Sequence, residues 1–225
     1  MVYRYAINLD DIVDEHELFE FKKNISIERI RKSEKYFFSK DRIRCLISEI
    51  LLGYILEKQF QCKEYQFQYS KYGKPYLKDN DEIFFNISHS GSWVVIGVGT
   101  SELGIDVEVI QENYLDIANR YFAREEYQKL LCAEEDERRK LFTIMWTLKE
   151  SYVKCIGLGM QISFEKIVFR INKKILFYNE GILDNTYVFK VDKLDREHYV
   201  AICTNAKEND FGDIVKLHIS DIKKN

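Results

Sequence analysis

Residues 104–109, with the sequence Gly-Ile-Asp-Val-Glu-Val, predict a β-strand near the middle of the chain. Successive side chains of a strand point to opposite faces, so Asp106 and Glu108 share one face while the apolar residues point into the core. Two neighbouring carboxylates repel each other, and keeping both ionised is costly unless a cation lies between them. The pair therefore suits Mg²⁺, which prefers hard oxygen ligands. Alternation alone favours an ordinary edge strand whose acidic face lies in water.

A long helical pattern followed by strand-like runs occurs on both sides of this strand. Residues 41–59 and residues 136–155 place apolar side chains at three- and four-residue spacing, which predicts two long helices. Strand-like runs lie at residues 1–8, 65–69, 83–88 and 93–99, and again at residues 166–171, 175–178, 187–192 and 199–204. Between these runs, residues 86–92 predict a break, residues 110–135 two short helices, and residues 172–173 a hairpin turn.

This repeated order predicts an α+β fold of two pseudo-symmetric halves, each a long helix packed on a small, mainly antiparallel sheet, with the active site between them. We place the two halves at residues 1–103 and 104–225. A chain of 225 residues, of which 46% are hydrophobic, can bury a sizeable core without disulfides or structural metals.

Charge and cysteine content narrow the classes of protein that fit this chain. Lys and Arg number 34 against 37 Asp and Glu, so nucleic acid is not expected as the main partner. Five scattered cysteines without a CxxC pair argue against a disulfide framework or a zinc site. No signal-peptide pattern is present, and no apolar run approaches the roughly 18 residues that span a membrane. We therefore expect a cytoplasmic protein that does not bind membranes.

A second acidic and basic motif lies on the predicted helix over residues 136–155. Residues 146–154 read Trp-Thr-Leu-Lys-Glu-Ser-Tyr-Val-Lys, and Glu150 and Lys154 are neighbours on one helical face. The pair is either an ordinary surface ion pair, worth about 0.3–0.5 kcal/mol, or a functional pair. In the functional interpretation, Glu150 is a third metal carboxylate and Lys154 contacts a phosphate.

Three further segments have the composition of anion-binding sites. Residues 86–91, Asn-Ile-Ser-His-Ser-Gly, offer hydroxyl, imidazole and backbone N–H groups; a serine hydrolase is a rival, but its GxSxG motif is absent. Residues 71–76, Lys-Tyr-Gly-Lys-Pro-Tyr, place a lysine between aromatic residues, where it could hold a nucleotide or form a plain exposed turn. A basic cluster, either a phosphate site or a solvated helix face, comprises Arg29, Arg31, Lys32, Lys35, Lys40, Arg42 and Arg44.

Together and in this order, these motifs resemble the 4′-phosphopantetheinyl transferases of the Sfp type. The similarity is carried by residues 72–75, 85–90, 104–108 and 146–154, and it extends from the N-terminal strand to about residue 159. The shorter holo-acyl-carrier-protein synthases of the same family look like one half of this chain and assemble as trimers. Sfp-type chains contain two pseudo-symmetric halves and act as monomers, so the resemblance implies a monomer.

The resemblance implies a specific reaction. The 4′-phosphopantetheine group of coenzyme A (CoA) is transferred to a serine of an apo acyl or peptidyl carrier protein, and 3′,5′-ADP is released. By matching position, Asp106, Glu108 and Glu150 look like ligands of Mg²⁺, which would neutralise charge on the leaving phosphate. Glu150, directly or through a metal-bound water, is the candidate base for the carrier serine. Lys154 would stabilise the transferred phosphate.

The resemblance also implies a set of CoA-binding residues in the N-terminal half. His89, which we count with the catalytic residues Glu150 and Lys154, matches a histidine near the CoA phosphates. The remaining matches are Ser88 and Ser90 in the same turn, Tyr72, Gly73, Lys74, Pro75 and Tyr76 along the adenine, Arg44 at the 3′-phosphate, and Arg29 and Lys32 as two further basic positions.

The carrier protein is expected to meet residues 114–140, because the family binds its carriers there. Apolar candidates in this segment are Phe122, Tyr127, Leu130 and Leu131, although a helix packed into its own core explains them equally well. Two other functions remain open from the sequence: a Mg²⁺-dependent phosphohydrolase with the same three carboxylates, and a noncatalytic regulator that binds CoA or a carrier.

Overall fold

The computed structural model describes residues 1–12, 14–112, 114–206 and 211–222. Its two longest helices, α2 (Ser39–Phe60) and α5 (Glu135–Ile156), confirm the two helical patterns, and each has 22 residues. Each ends at a left-handed residue, Gln61 and Gly157. The shorter helices are α1 (Ile27–Ser33), α3 (Leu115–Tyr121), α4 (Arg124–Leu131) and α6 (Ile219–Ile222). In the described part of the chain, no helix is long and apolar enough to cross a membrane.

The strands form four small sheets in the described part of the chain. The N-terminal half contains β1 (Val2–Asn8), β2 (Phe67–Tyr69), β3 (Pro75–Leu77), β4 (Phe84–Ser90) and β5 (Trp93–Gly99). The C-terminal half contains β6 (Leu103–Val109), β7 (Ile167–Ile171), β8 (Ile175–Asn179), β9 (Ile182–Leu183), β10 (Val188–Lys193), β11 (His198–Thr204) and β12 (Phe211–Leu217). Four 3₁₀ segments are Leu9–Asp11, Glu15–Asn24, Gly159–Gln161 and Phe164–Lys166.

The sheet of the N-terminal half has the order β12-β1-β5-β4 and packs on α2. The apolar face of the helix, including Ile47 and Leu51, meets Val94 and Ile96 of β5 in one buried cluster. All its pairs are antiparallel except β1 with β12. Because β12 comes from the end of the chain, the second half returns to complete the first sheet. The boundary between residues 103 and 104 stays a prediction.

The sheet of the C-terminal half has the order β10-β11-β6, and α5 packs on β6 and β11. The closest approach is at Gly104, where a Cβ atom would overlap the carbonyl of Ser151 and the backbone nitrogen of Cys155. Only glycine therefore allows α5 to lie this close to β6. Helix-on-sheet packing in both halves confirms the predicted α+β class with one long helix in each half.

Two sequence predictions differ from the structure. The predicted break over residues 86–92 is confirmed only at the turn of residues 91–92; over residues 86–90 it is wrong, because β4 continues to Ser90 and pairs with β5 along its whole length. The interpretation of residues 104–109 as an edge strand with a solvated acidic face is also wrong at Asp106. This residue is only 2% exposed, because β4 covers that side of β6.

The apolar surface expected for the carrier protein is mostly core. Phe122 and Leu130 are buried in a cluster with α5, and Tyr127 packs against the same cluster. Among the four apolar candidates, only Leu131 is an exposed hydrophobic residue, with 41% of its surface accessible. Helix α4 therefore uses its apolar face internally, and Phe122 and Leu130 are not available for carrier binding.

A fully buried ion pair joins α4 and α5. Lys149 Nζ lies 2.7 Å from Glu126 Oε2, and neither side chain is accessible to solvent beyond 1%. Lys149 also donates to the carbonyls of Phe164 and Ile167. Glu126 accepts hydrogen bonds from the backbone N–H groups of Ala123 at 3.1 Å and Phe169 at 2.9 Å. Both charges are thus fully hydrogen-bonded, and the pair ties α5 to the start of β7.

Replacing Lys149 by methionine is expected to lower the free energy of unfolding by about 3–5 kcal/mol. The substitution keeps the apolar stem but leaves the Glu126 carboxylate buried without its counter-charge. Urea denaturation measures the loss. A matched control is Lys140→Met on the same helix, since Lys140 pairs with Glu137 at the surface and its loss should cost far less stability than the loss of Lys149.

The double variant Lys149→Met, Glu126→Gln separates charge burial from packing. Because it removes the unpaired charge as well, it should recover part of the stability that Lys149→Met loses. Equal losses for Lys149→Met and Lys140→Met would contradict the role that we assign to the buried pair.

Candidate active site

Side chains of β4 take the place of a missing strand partner for β6. Alternate residues of β4 point towards β6, and each accepts a hydrogen bond from an alternate backbone N–H group of that strand. The contacts join Asn86 Oδ1 to Ile105 N at 3.0 Å, Ser88 Oγ to Val107 N at 3.3 Å and Ser90 Oγ to Val109 N at 3.2 Å. We call this row of contacts the β4–β6 seam. It joins the sheets of the two halves without a backbone ladder.

The serines of the β4–β6 seam also fix the two carboxylates of β6. Ser88 Oγ donates to Asp106 Oδ1 at 2.8 Å, and Ser90 Oγ donates to Glu108 Oε2 at 3.0 Å. Each hydroxyl accepts a hydrogen bond from a backbone N–H group and donates one to a carboxylate, so it acts as acceptor and donor at once. The polar residues of the 86–91 motif therefore orient acidic groups.

Helix α5 brings the third carboxylate and a cation to the same place. Lys154 Nζ donates to Asp106 Oδ1 at 2.6 Å and to Ser88 Oγ at 2.8 Å. Glu150 lies one turn earlier on α5, half-buried, and is close enough to Asp106 for their charges to interact. The close packing at Gly104 makes this arrangement possible. The alternative of an ordinary surface ion pair between Glu150 and Lys154 is not observed; Lys154 pairs with Asp106.

Burial raises the pKa values of all three carboxyl groups, and the charge of Asp106 raises those of Glu108 and Glu150 further. Burial is the largest cause of the raised pKa of Asp106, and the neighbouring Lys154 opposes it. Burial and the charge of Asp106 raise the pKa of Glu108 to about 7. The same two causes raise the pKa of Glu150. These three carboxyl groups lie close together, and each has a raised pKa. Ionising all of them requires more positive charge nearby than one lysine provides.

The residues present fit a hard divalent cation by donor type and by charge. Asp106 Oδ2 is buried and makes no hydrogen bond, so this carboxylate has an unused acceptor next to two further carboxylates. Carboxylate oxygens are the ligands that Mg²⁺ prefers. Within residues 1–12, 14–112, 114–206 and 211–222, however, no three acidic, histidine or cysteine side chains are already arranged as a metal-binding group. Side chains of the three carboxylates would have to turn towards a bound ion.

Six of the predicted CoA-binding residues line one cavity of about 270 Å³. Its most constrained cation is Arg44, which donates to Asp41 Oδ1 at 2.6 Å and to the carbonyl of Gly91 at 2.9 Å, while its Nε is buried without a partner. The guanidinium is thus held in place with a donor left over. The six residues are Arg29, Lys32, Arg44, Gly73, Pro75 and His89.

We call this cavity of about 270 Å³ the basic cavity. The residues that line it differ in the positive charge available to a ligand. Arg29 forms a half-buried ion pair with Glu49 at 2.9 Å, so its charge is partly neutralised. Lys32 is exposed at the cavity wall. Burial and the positive charges of Arg44 and Lys154 lower the pKa of His89, so the imidazole is neutral at pH 7. Arg44 and Lys32 are therefore the stronger candidates for binding phosphate groups.

A second cavity of about 300 Å³ contains the catalytic candidates of α5. Gly73 and Pro75 line both cavities, so the basic cavity and the second cavity are adjacent. The predicted residues that line the second cavity are Tyr72, Gly73, Lys74, Pro75, Glu150 and Lys154. Tyr76 lines neither cavity; its phenol donates to Gln68 at 3.0 Å. A ligand that fills both cavities would extend from the basic residues to Glu150 and Lys154.

Comparison with known proteins shows the family of this chain. A family model described as the 4′-phosphopantetheinyl transferase superfamily matches residues 102–203, and another, described as 4′-phosphopantetheinyl transferase, N-terminal, matches residues 14–101. The chain is 32% identical over 171 residues to 4′-phosphopantetheinyl transferase Sfp of Bacillus subtilis (strain 168), a match that covers 75% of this chain and 76% of that protein. The chain belongs to the 4′-phosphopantetheinyl transferase superfamily.

Two further 4′-phosphopantetheinyl transferases are similar over most of their length. The chain is 32% identical to the enzyme gsp of Aneurinibacillus migulanus, with 77% of this chain and 78% of that protein covered. It is 29% identical to the enzyme ffp of Bacillus subtilis, with 88% and 90% covered. The predicted resemblance to the Sfp type is thereby confirmed.

The structure of this phosphopantetheinyl transferase adds a histidine that the sequence did not single out. His198 Nδ1 lies 2.9 Å from Asp195 Oδ1, and Asp195 Oδ2 accepts a hydrogen bond from Trp93 Nε1 at 2.6 Å. The other ring nitrogen, His198 Nε2, is buried without a partner against the α-carbon of Gly91. His198 therefore supports the turn after β4 from one side, while Arg44 holds the carbonyl of Gly91 from the other. No local pattern marks this contact, because it joins residues 107 positions apart.

Replacing Gly91 by alanine should destabilise the protein by more than about 1–2 kcal/mol. Gly91 has a left-handed φ of 55°, and a Cβ atom there would also overlap His198 Nε2. The control Gly181→Ala has backbone strain only, since Gly181 has a φ of 80° with no atom within 4 Å of an added Cβ. Urea denaturation should show the larger loss for Gly91→Ala; equal losses would contradict the supporting role of His198.

Proposed function

We propose that this chain transfers the 4′-phosphopantetheine group of CoA to a serine hydroxyl of an apo acyl or peptidyl carrier protein, in a Mg²⁺-dependent reaction. The serine oxygen bonds to the pantetheine-bearing phosphorus of the CoA pyrophosphate, and the bond from that phosphorus to the bridging oxygen breaks. The products are the holo carrier protein and 3′,5′-ADP. The carriers are domains of polyketide, nonribosomal peptide or fatty acid synthesis.

One observation carries the proposal: the basic cavity and the cavity that contains Glu150 and Lys154 share a wall at Gly73 and Pro75. A nucleotide bound by Arg44 and Lys32 would extend its pyrophosphate along this wall towards α5. Its scissile bond would then lie beside Lys154 and the three carboxylates. Family membership supports the same reaction, because the related enzymes are named for it.

Each charged group of the site has a proposed part in this reaction. Asp106, Glu108 and Glu150 would hold Mg²⁺, which supplies Lewis-acid stabilisation of phosphate charge when bound. Glu150 accepts the proton of the carrier serine, a role that suits a carboxylate whose pKa is raised. Lys154 places its ammonium group at the transferred phosphate, and its contacts with Ser88 and Asp106 restrict its position.

We also propose that the protein is a monomer and lies in the cytoplasm. Both cavities are built from a single chain, with residues of the two halves on the wall of the second cavity. The cysteines of the structure are all free, which suits a reducing compartment. A sedimentation measurement of the molar mass tests the monomer.

The test is intact-mass spectrometry of an apo carrier protein after incubation with this protein, CoA and Mg²⁺. We expect a mass gain of one phosphopantetheine group on the carrier, abolished by EDTA. Asp106→Ala and Glu150→Ala should each lower kcat/KM at least about a hundredfold, because each removes a charged group from the reacting centre. Glu137→Gln, an exposed acid on the same helix, should retain wild-type activity.

Two other outcomes would identify the rival functions. A carrier that stays unmodified while CoA is cleaved would indicate a phosphohydrolase. CoA binding without turnover on several unrelated carriers would indicate a regulator. Full activity of Asp106→Ala and Glu150→Ala in the presence of Mg²⁺ would show that the carboxylates do not form the metal site.

A further inference from the structure

The ammonium group of Lys74 lies between the two halves of the chain. Its Nζ donates to the carbonyl of Cys155 at 2.6 Å and to the carbonyl of Leu103 at 3.2 Å. Lys74, which we expected to lie along the adenine, thus directs its ammonium group to the backbone of the C-terminal half.

The two carbonyl groups belong to the elements that carry the active site. Leu103 is the first residue of β6, three residues before Asp106, and Cys155 lies in the last turn of α5, next to Lys154. The last carbonyls of a helix lack partners within the helix and carry partial negative charge, so a lysine is a favourable cap there. Lys74 therefore binds β6 and α5 through one group.

The stem of Lys74 fits closely between the halves. A Cβ atom added at Gly157, which follows α5, would lie 2.9 Å from Lys74 Cδ, and Gly157 has a left-handed φ of 70°. The turn that carries Lys74 is itself fixed. Ser70 N donates to the carbonyl of Lys74 at 2.9 Å, and Lys74 N donates to Ser70 Oγ at 3.1 Å. A rigid turn thus delivers the lysine to a narrow passage beside the end of α5.

We propose that Lys74 is a positioning residue, which fixes the start of β6 and the end of α5 against the turn that lines both cavities. It thereby sets Lys154 relative to Asp106, and its charge makes no contact with CoA. The inference rests on the proposed transferase function and deepens it. Gly73 and Pro75, on either side of Lys74, contribute to the wall of both cavities, so the same turn links the nucleotide side to the catalytic side.

Steady-state kinetics with an apo carrier protein separate positioning from CoA binding. Lys74→Met keeps the stem and removes the ammonium group. We expect kcat to fall about tenfold, while KM for CoA and the Kd of CoA by calorimetry change less than threefold. Lys78→Met is the matched control, because Lys78 is an exposed lysine just after β3 that lines neither cavity and should leave kcat unchanged.

Lys74→Arg provides an independent readout. An arginine keeps the charge, but its wider guanidinium does not fit the passage beside Gly157, so kcat should stay low. A phosphate contact predicts the opposite pattern: KM for CoA rises at least tenfold in Lys74→Met with kcat unchanged, and Lys74→Arg restores it. That pattern would overturn the inference.

Hydrogen exchange distinguishes failure of this inference from failure of the proposed function. In Lys74→Met, or in Lys74→Gln if the methionine variant does not fold, amides of residues 153–157 should exchange at least tenfold faster, while CoA affinity is retained. This readout needs no turnover, so it applies even if the wild-type protein modifies no carrier. Unchanged exchange at the end of α5 would overturn the positioning role.

Discussion

The arrangement of this molecule depends on the β4–β6 seam. Strand β6 is at the edge of its sheet, and its outer N–H groups need acceptors because that edge is covered by β4. The acceptors are the side chains of Asn86, Ser88 and Ser90. The same serines donate to Asp106 and Glu108, so the acidic side chains lie at the junction of the two sheets.

The seam places the carboxylates in an environment that costs stability. Asp106 is buried with one oxygen unsatisfied, and the pKa of Glu108 is raised to about 7. An unpaired buried carboxylate oxygen is costly, and Lys154 compensates for only part of the charge. Lys149, one position before Glu150 on α5, forms a fully hydrogen-bonded pair with Glu126, so the same helix also carries a buried charge that is fully compensated. Buried ionisable groups with strongly shifted pKa values are typical of functional sites.

Local periodicity predicted the elements, and contacts between distant residues decided the site. The 3.6-residue period predicted α2 and α5, because each buries one continuous apolar face. The break predicted over residues 86–92 failed up to Ser90 because Asn and Ser are typical of turns, whereas here the side chains of Asn86, Ser88 and Ser90 accept hydrogen bonds from β6. Strand β12 was missed because it pairs with β1, about 200 residues away. The residues around Asp106 could be found from their motifs, but the contact of His198 with Gly91 has no local signal.

The site exists only while both halves keep their relative position, and several buried contacts maintain it. Arg4, fully buried in β1, donates to the carbonyl of Gly212 at 2.8 Å and pairs with Asp192 of β10. Strand β12 completes the sheet of the first half. Lys154 reaches Ser88 and Asp106 through hydrogen bonds, and a shift of about 1 Å between the halves would break them. Residues of both halves, Lys74 and Lys154 among them, line the same cavity, so any change in the relative position of the halves alters the site directly.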